Sequence, residues 1–112
     1  MIDPTVSAIR SSLAGLAARQ RAIADNVANL ETPGYQAKRV SFEESLAAAI
    51  SSGDPSQAQL SQTTSSDPSN PNGNNVQLET ETLDMQETSL RYQLSIEALN
   101  AKYRLLRTAI KG

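Results

Sequence analysis

Apolar positions along this chain gather into two long periodic stretches, one near each end, with a polar middle between them. In the first stretch Val6, Ile9, Leu13, Leu16, Gln20, Ile23, Val27 and Leu30 are separated by three or four residues. That spacing is a heptad seam with one polar member, Gln20. Asp3-Pro4 reads as an N-cap followed by proline at the first helical position, so a helix is expected from Pro4 to near Leu30, about 40 Å long. In the second stretch Tyr92, Ile96, Leu99, Tyr103, Leu106 and Ile110 again step by four and three. Met85 and Ser89 extend that seam back towards a helix start near Gln77. A further stripe, Leu83, Leu90, Leu94 and Leu105, is expected beside it, and the two together are wider than a two-helix seam requires. Glu79, Glu81, Asp84 and Glu87 crowd the start of this helix while Lys102, Arg104, Arg107 and Lys111 crowd its end, an order that complements the helix dipole.

The first helix runs into Ala24-Asp25-Asn26-Val27-Ala28-Asn29-Leu30-Glu31-Thr32-Pro33-Gly34-Tyr35, where its period stops. Thr32 precedes a proline and is steered out of the α region, Pro33 has no N–H, and Gly34 accepts positive φ. A sharp turn is therefore expected between Thr32 and Tyr35. Asp25, Asn26 and Asn29 are poor interior residues for a helix, and their placement predicts hydrogen bonds to the turn or to a partner. Further on, Ser41-Phe42-Glu43-Glu44 has capping-box form and predicts a short helix that groups Phe42, Leu46, Ala49 and Ile50 on one face, ending before Gly53. Residues 51–75 hold Ala58 and Leu60 among Ser, Gln, Asn, Thr, Asp, Pro and Gly, a composition that predicts a mobile linker or extended tether.

These elements add up to an all-α expectation. Residues 1–31 form an N-terminal coiled-coil helix, 32–50 a turn and short helix, 51–76 a polar disordered or extended linker, and 77–112 a C-terminal coiled-coil helix. The long helices pair as a hairpin through the two seams. More apolar helical face exists than one hairpin can cover, which points to self-association or a lattice.

Composition narrows the chemistry. A chain of 112 residues with 38% hydrophobic content, one Phe, three Tyr and no Trp can build only a thin core of its own. As an isolated monomer it is expected to be partly disordered. The net charge of −2 recruits neither nucleic acid nor an anionic membrane, and basic residues are not interleaved with aromatics along one face. Met1-Ile2-Asp3-Pro4 lacks a basic start, and Arg10, Arg19 and Arg21 break up the residues after it, so no cleavable secretory signal is expected. The apolar runs are too short for a bilayer span. There is no His and no Cys, the five glycines are scattered, and the acidic clusters read as helix N-terminal charge. An enzyme is not expected, nor a cofactor, metal or small-molecule substrate.

The run from Ala24 to Tyr35 resembles the signature of bacterial flagellar axial proteins, which reads roughly A-N-N-hydrophobic-A-N-x-x-T-x-G-[YF], with Asp25 where the pattern has its first Asn. The continuation Gln36-Ala37, then Val40, Phe42 and Leu46, is similar to the FlgB family of proximal rod proteins. So is the ending Leu90-Arg91-Tyr92-Gln93 with Leu105-Leu106-Arg107-Thr108-Ala109-Ile110-Lys111-Gly112. The likeness covers about residues 1–50 and 76–112. It implies that the end helices pair as the inner domain of a tubular structure, and that subunits stack helically against copies of themselves and other rod subunits. It further implies export by the flagellar type III apparatus without signal cleavage, and periplasmic assembly above a membrane-ring junction protein and the export gate. The subunit then transmits torque. Under the same resemblance Phe42 and Leu46 match a Phe-x-x-x-hydrophobic export-gate pattern, although two such residues one turn apart also describe an ordinary amphipathic face. The alternative reading is a soluble helical adaptor or export-chaperone-like protein that binds one partner through the same stripes.

Overall fold

The computed structural model describes residues 3–111. Helix α1 spans Pro4–Ala28, strand β1 Lys38–Ser41, helix α2 Glu43–Ser51, strand β2 Ser61–Thr64 and helix α3 Leu78–Lys111, with a short 3-10 turn at Pro55–Gln57. Asp3 caps α1 as expected: its side chain accepts the N–H of Thr5 at 2.7 Å, and Pro4 opens the first turn. The expected helical run to Leu30 stops slightly earlier, and residues 29–31 form a hydrogen-bonded turn.

Helices α1 and α3 run antiparallel. Lys102 pairs with Asp3 at 3.3 Å at one end, and Asn26 reaches Glu81 at 3.0 Å at the other. Midway, Gln20 donates to the Ser89 hydroxyl at 3.4 Å, so the one polar position of each seam faces the other. Val6, Leu16 and Ile23 are buried in this seam, and Ile9, Leu13, Tyr92, Ile96 and Leu99 are half-buried along it. The molecule measures 64 × 26 × 14 Å, an elongated shape set by these helices.

Four seam expectations need correction. Val27 is exposed, because the inward position in the last turn of α1 is taken by Asn26. Tyr103, Leu106 and Ile110 are exposed because α3 continues past the start of α1. This overhang, from Tyr103, whose hydroxyl accepts a hydrogen bond from Arg10 of α1 at 3.1 Å, to Lys111, is about 13 Å of helix. Leu83, Leu90, Leu94 and Leu105 are also exposed. At about 100° per residue they fall on the side of α3 opposite the α1 seam, not beside it.

The fold is mostly helical but not strictly all-α. Strands β1 and β2 form an antiparallel pair in the register Lys38↔Thr64 to Ser41↔Ser61, continued by Ser65 N–H donating to the Ala37 carbonyl at 2.7 Å. Residues 51–76, expected as a polar linker, thus supply a 3-10 turn, a strand and a hydrogen-bonded loop. The pairing uses backbone groups, and every β2 side chain is exposed, so no apolar alternation marks it. The capping box also fails. Ser41 lies at the end of β1, Phe42 precedes α2 without a side-chain cap, and the Glu43 carboxylate accepts the Phe42 N–H at 3.2 Å.

The pull on Phe42 explains that shift. Its ring is buried with Leu16, Ala22 and Val40, flanked by Ala18, Leu46 and Tyr92. It lies directly on Gly15, whose missing side chain makes the space: a Cβ there would overlap the ring. Arg19 closes the cluster from above, its guanidinium 5.0 Å from the ring centroid. The same guanidinium donates to both Glu43 carboxylate oxygens at 2.7 Å and, through Nη2, to the Val40 carbonyl at 2.7 Å. One side chain of α1 thereby fixes the end of β1 and the start of α2.

Gly15→Ala is expected to lower the urea midpoint by an amount worth about 1–3 kcal/mol, the usual cost of overpacking; an unchanged midpoint would mean Phe42 does not seat there. Acid should act through Glu43. The Arg19 hydrogen bonds hold its carboxyl at about 2, below the ordinary 4.5. A carboxyl depressed on folding contributes stability that is complete above its unfolded value and fades as pH falls towards the folded one. Helicity followed by circular dichroism should therefore decline between about pH 4.5 and 2, and Glu43→Gln should flatten the decline in that window.

Candidate functional site

The residues singled out between Ala24 and Tyr35 meet the start of α3 and the loop before it. Asn26 is the centre and is fully buried. Its Nδ2 donates to the Lys38 carbonyl at 3.1 Å and to Glu81 Oε2 at 3.0 Å. Its Oδ1 accepts the Lys38 N–H at 2.8 Å and lies 3.5 Å from the Tyr35 hydroxyl. A single amide thus ties α1 to β1 and to α3. Glu81, also fully buried, receives Arg39 Nη1 at 2.8 Å on its other oxygen. A buried carboxylate must be paired in this way to be tolerated, and both of its oxygens are occupied.

Asn29 holds the helix end. Its side chain donates to the Asp25 carbonyl at 2.8 Å and accepts the Thr32 hydroxyl at 3.1 Å. Asp25 is exposed and pairs with Lys38 Nζ at 3.0 Å, an ion pair that raises the lysine pKa. Thr32, Pro33 and Gly34 form the exposed tip, Leu30 and Tyr35 are half-buried, and Ala24, Val27 and Ala28 face outward. Gly34 has φ +75°, the conformation its lack of a side chain permits. Phe42 and Leu46 are not part of this junction; they belong to the Gly15 cluster.

Four partners of the junction, Asn72 to Asn75, come from the stretch whose composition predicts a tether. Asn74, fully buried, donates through Nδ2 to the carbonyls of Asn29, Leu30 and Thr32 at 2.9, 3.2 and 2.7 Å, while its Oδ1 accepts the Val76 N–H at 2.7 Å. It therefore ties down carbonyls of the turn that follows α1. Asn75 accepts the Ala37 N–H at 2.7 Å and donates to the carbonyls of Ser65 and Asp67. Gly73, at φ +83°, lies against Gly34: a Cβ on Gly73 would sit 3.3 Å from the Gly34 Cα. The Gly34 N–H donates to the Asn72 carbonyl at 2.9 Å, and Gln36 Nε2 to the Gly73 carbonyl at 2.6 Å. The available signal was turn chemistry, since Asn70-Pro71-Asn72-Gly73-Asn74 is rich in residues that bend and bond to backbone.

Among the described residues no buried side-chain nitrogen or oxygen lacks a hydrogen-bond partner, and no cluster of acids could hold a metal ion. No helix there is long and apolar enough to cross a membrane. The arrangement is a rigid junction that presents a fixed turn and, beside it, the outward side chains of Ala24, Val27 and Ala28. Its buried polar groups are consumed in holding shape.

Known proteins share this layout of sequence. A family model described as flagella basal body rod protein matches residues 9–36, from the first turns of α1 to the residue after the junction's last tyrosine. The flagellar basal body rod protein FlgB of Bacillus subtilis (strain 168) is 31% identical over an alignment covering 100% of this chain and 97% of that protein. The protein of the same name from Cereibacter sphaeroides is 33% identical, with 84% of each chain covered. That from Escherichia coli (strain K12) is 29% identical, with 91% of each covered.

Asn74→Ala removes the donor to three carbonyls and should cost about 1–3 kcal/mol. Amide hydrogen exchange should accelerate at Gly34 and Tyr35 while the middle of α1 keeps its protection. Equal acceleration everywhere would show that Asn74 acts on global stability and not on the turn.

Proposed function

The chain belongs to the FlgB family of flagellar basal-body rod proteins, and on that premise we propose how its parts serve a rod. It is a structural subunit of the flagellar basal body. Its work is to be assembled: α1 and α3 act as one inner axial unit, and the apolar surface they leave bare is covered by other rod components and further copies. The observation carrying this reading is the pair of opposed apolar faces on α3, one taken by α1 and the other exposed at Leu83, Leu90 and Leu94. A helix that is apolar on two sides is stable in water only when both are covered.

The Ala24–Tyr35 junction serves this assembly by fixing the direction in which the segment after α1 leaves the helix pair. The seam residues Val6, Ile9, Leu13, Leu16, Ile23, Tyr92, Ile96 and Leu99 stiffen the unit lengthwise, as torque transmission demands. Export from the cytoplasm by the flagellar type III route, with the membrane-ring junction protein and the export gate as partners in the periplasmic assembly, is consistent with these parts. Phe42 is 5% exposed in the folded chain, so an export-gate role for Phe42 and Leu46 belongs to the chain before it folds. Packing and export then use the same two side chains at different stages.

Replacing Gly34 by Val, which strains a positive-φ position by about 1–3 kcal/mol, or Asn29 by Ala, should abolish or sharply reduce rod assembly and swimming. Both variant chains should stay soluble and helical. Normal swimming in both would remove the junction from the assembly role.

A further inference from the structure

The overhang of α3 and its outer stripe have complementary chemistry. Beyond Tyr103, whose hydroxyl accepts from Arg10 of α1 at 3.1 Å, Leu106 and Ile110 continue on the overhang the seam that α1 covers elsewhere, and Ile110 is 86% exposed. Arg104 and Arg107 line the same groove, about 590 Å³ in volume, and neither makes an ion pair among the described residues. Towards the other end of the helix, Leu83, Leu90 and Leu94 are 56–66% exposed. Glu79 and Glu97 flank this stripe along one edge, exposed and likewise without ion pairs among the described residues. A basic apolar patch and an acidic apolar patch thus occupy the two halves of one helix.

We propose that a second copy of this chain docks head to tail, the basic overhang of one α3 seated on the acidic outer stripe of the next. The inference rests on the rod reading and specifies one contact within it. Its polarity follows from the helix itself. The apolar side chains of the overhang and of the outer stripe lie on opposite sides of α3, so an antiparallel dimer, which would need one straight helix to turn both faces to the same neighbour, cannot bury both at once. The contact is therefore heterologous, and repetition gives an open chain of subunits, not a closed pair. Charge fixes the direction, since overhang against overhang and stripe against stripe both repel.

Sedimentation velocity on the full chain tests this with Arg104→Glu/Arg107→Glu in one variant and Glu79→Lys/Glu97→Lys in another. The wild-type chain should sediment faster as concentration rises, without a plateau at dimer, and more slowly in ~1 M NaCl, where the Debye length shrinks to about 3 Å. Each variant alone should associate at least about tenfold more weakly, with unchanged helicity. Mixing the two should restore association, because each then offers the charge the other lacks. Wild-type behaviour in either variant, a wild-type plateau at dimer, or a mixture that stays apart overturns the contact. Should either variant lose helicity, the salt dependence of the wild-type chain decides, and association indifferent to salt overturns it. A wild-type chain that remains monomeric yet enters the rod sinks this contact and spares the rod reading. Head-to-tail association in a chain whose deletion leaves rods and swimming intact does the reverse.

Discussion

The structure depends on a buried amide set against a buried carboxylate. Asn26 bonds to β1 through both polar atoms of its side chain and to Glu81 of α3, and Arg39 completes the carboxylate's shell. None of these groups is a strong source of net stability, because burying an ion pair costs several kcal/mol in desolvation that its attraction only roughly repays. What the cluster enforces is register. Sliding α3 along α1 by one turn, about 5.4 Å, would leave the Glu81 carboxyl without its partners in the interior. An apolar seam alone tolerates such slips, since one Leu or Ile resembles another one turn away. The polar cluster therefore decides where α3 begins relative to α1, and with it how far α3 extends past the start of α1.

The same constraint explains what was legible in the sequence. Long helices announce themselves by period, and Val6, Leu16, Ile23, Tyr92 and Ile96 lie in the seam that their spacing indicated. The error at Val27 is a matter of phase. After Ile23 a heptad permits an inward step of three or of four, and apolarity favoured Val27, whereas the buried position is Asn26. A polar residue inside a helix end carries no mark of burial until its partners are known. Glu81 was hidden for the same reason: near a helix start an acid is adequately explained by the dipole, and only Arg39 and Asn26 reveal its second role.

Residues 61–75 show a different limit. Their composition cannot bury apolar area, and on that ground a tether was the natural expectation. Order there comes from side chains that bond to backbone. Asn74 and Asn75 together engage five carbonyls and two N–H groups of the α1 turn, the segment before β1 and their own loop. Hydropathy cannot register this kind of order. The Gly34–Gly73 contact belongs with it, because two glycines distant in sequence come together only once the asparagines have drawn the loop over the turn.

The two ends of the helix pair are consequently unlike. At the junction end buried polar atoms are matched and the chain closes on itself, whereas at the far end α3 runs on with Ile110 bare and Arg104 and Arg107 unpaired among the described residues. Stability within a fold follows local burial, so the overhang is the first part to open and the buried polar cluster of the junction opens later. For a rod subunit that gradient is useful. The segment that must keep its shape is closed by contacts within the chain, and the segment that must find a neighbour keeps its apolar surface available until one arrives. A longer α1 covering the overhang would give a more stable monomer and a poorer building block, because the surface that identifies the next subunit would already be occupied.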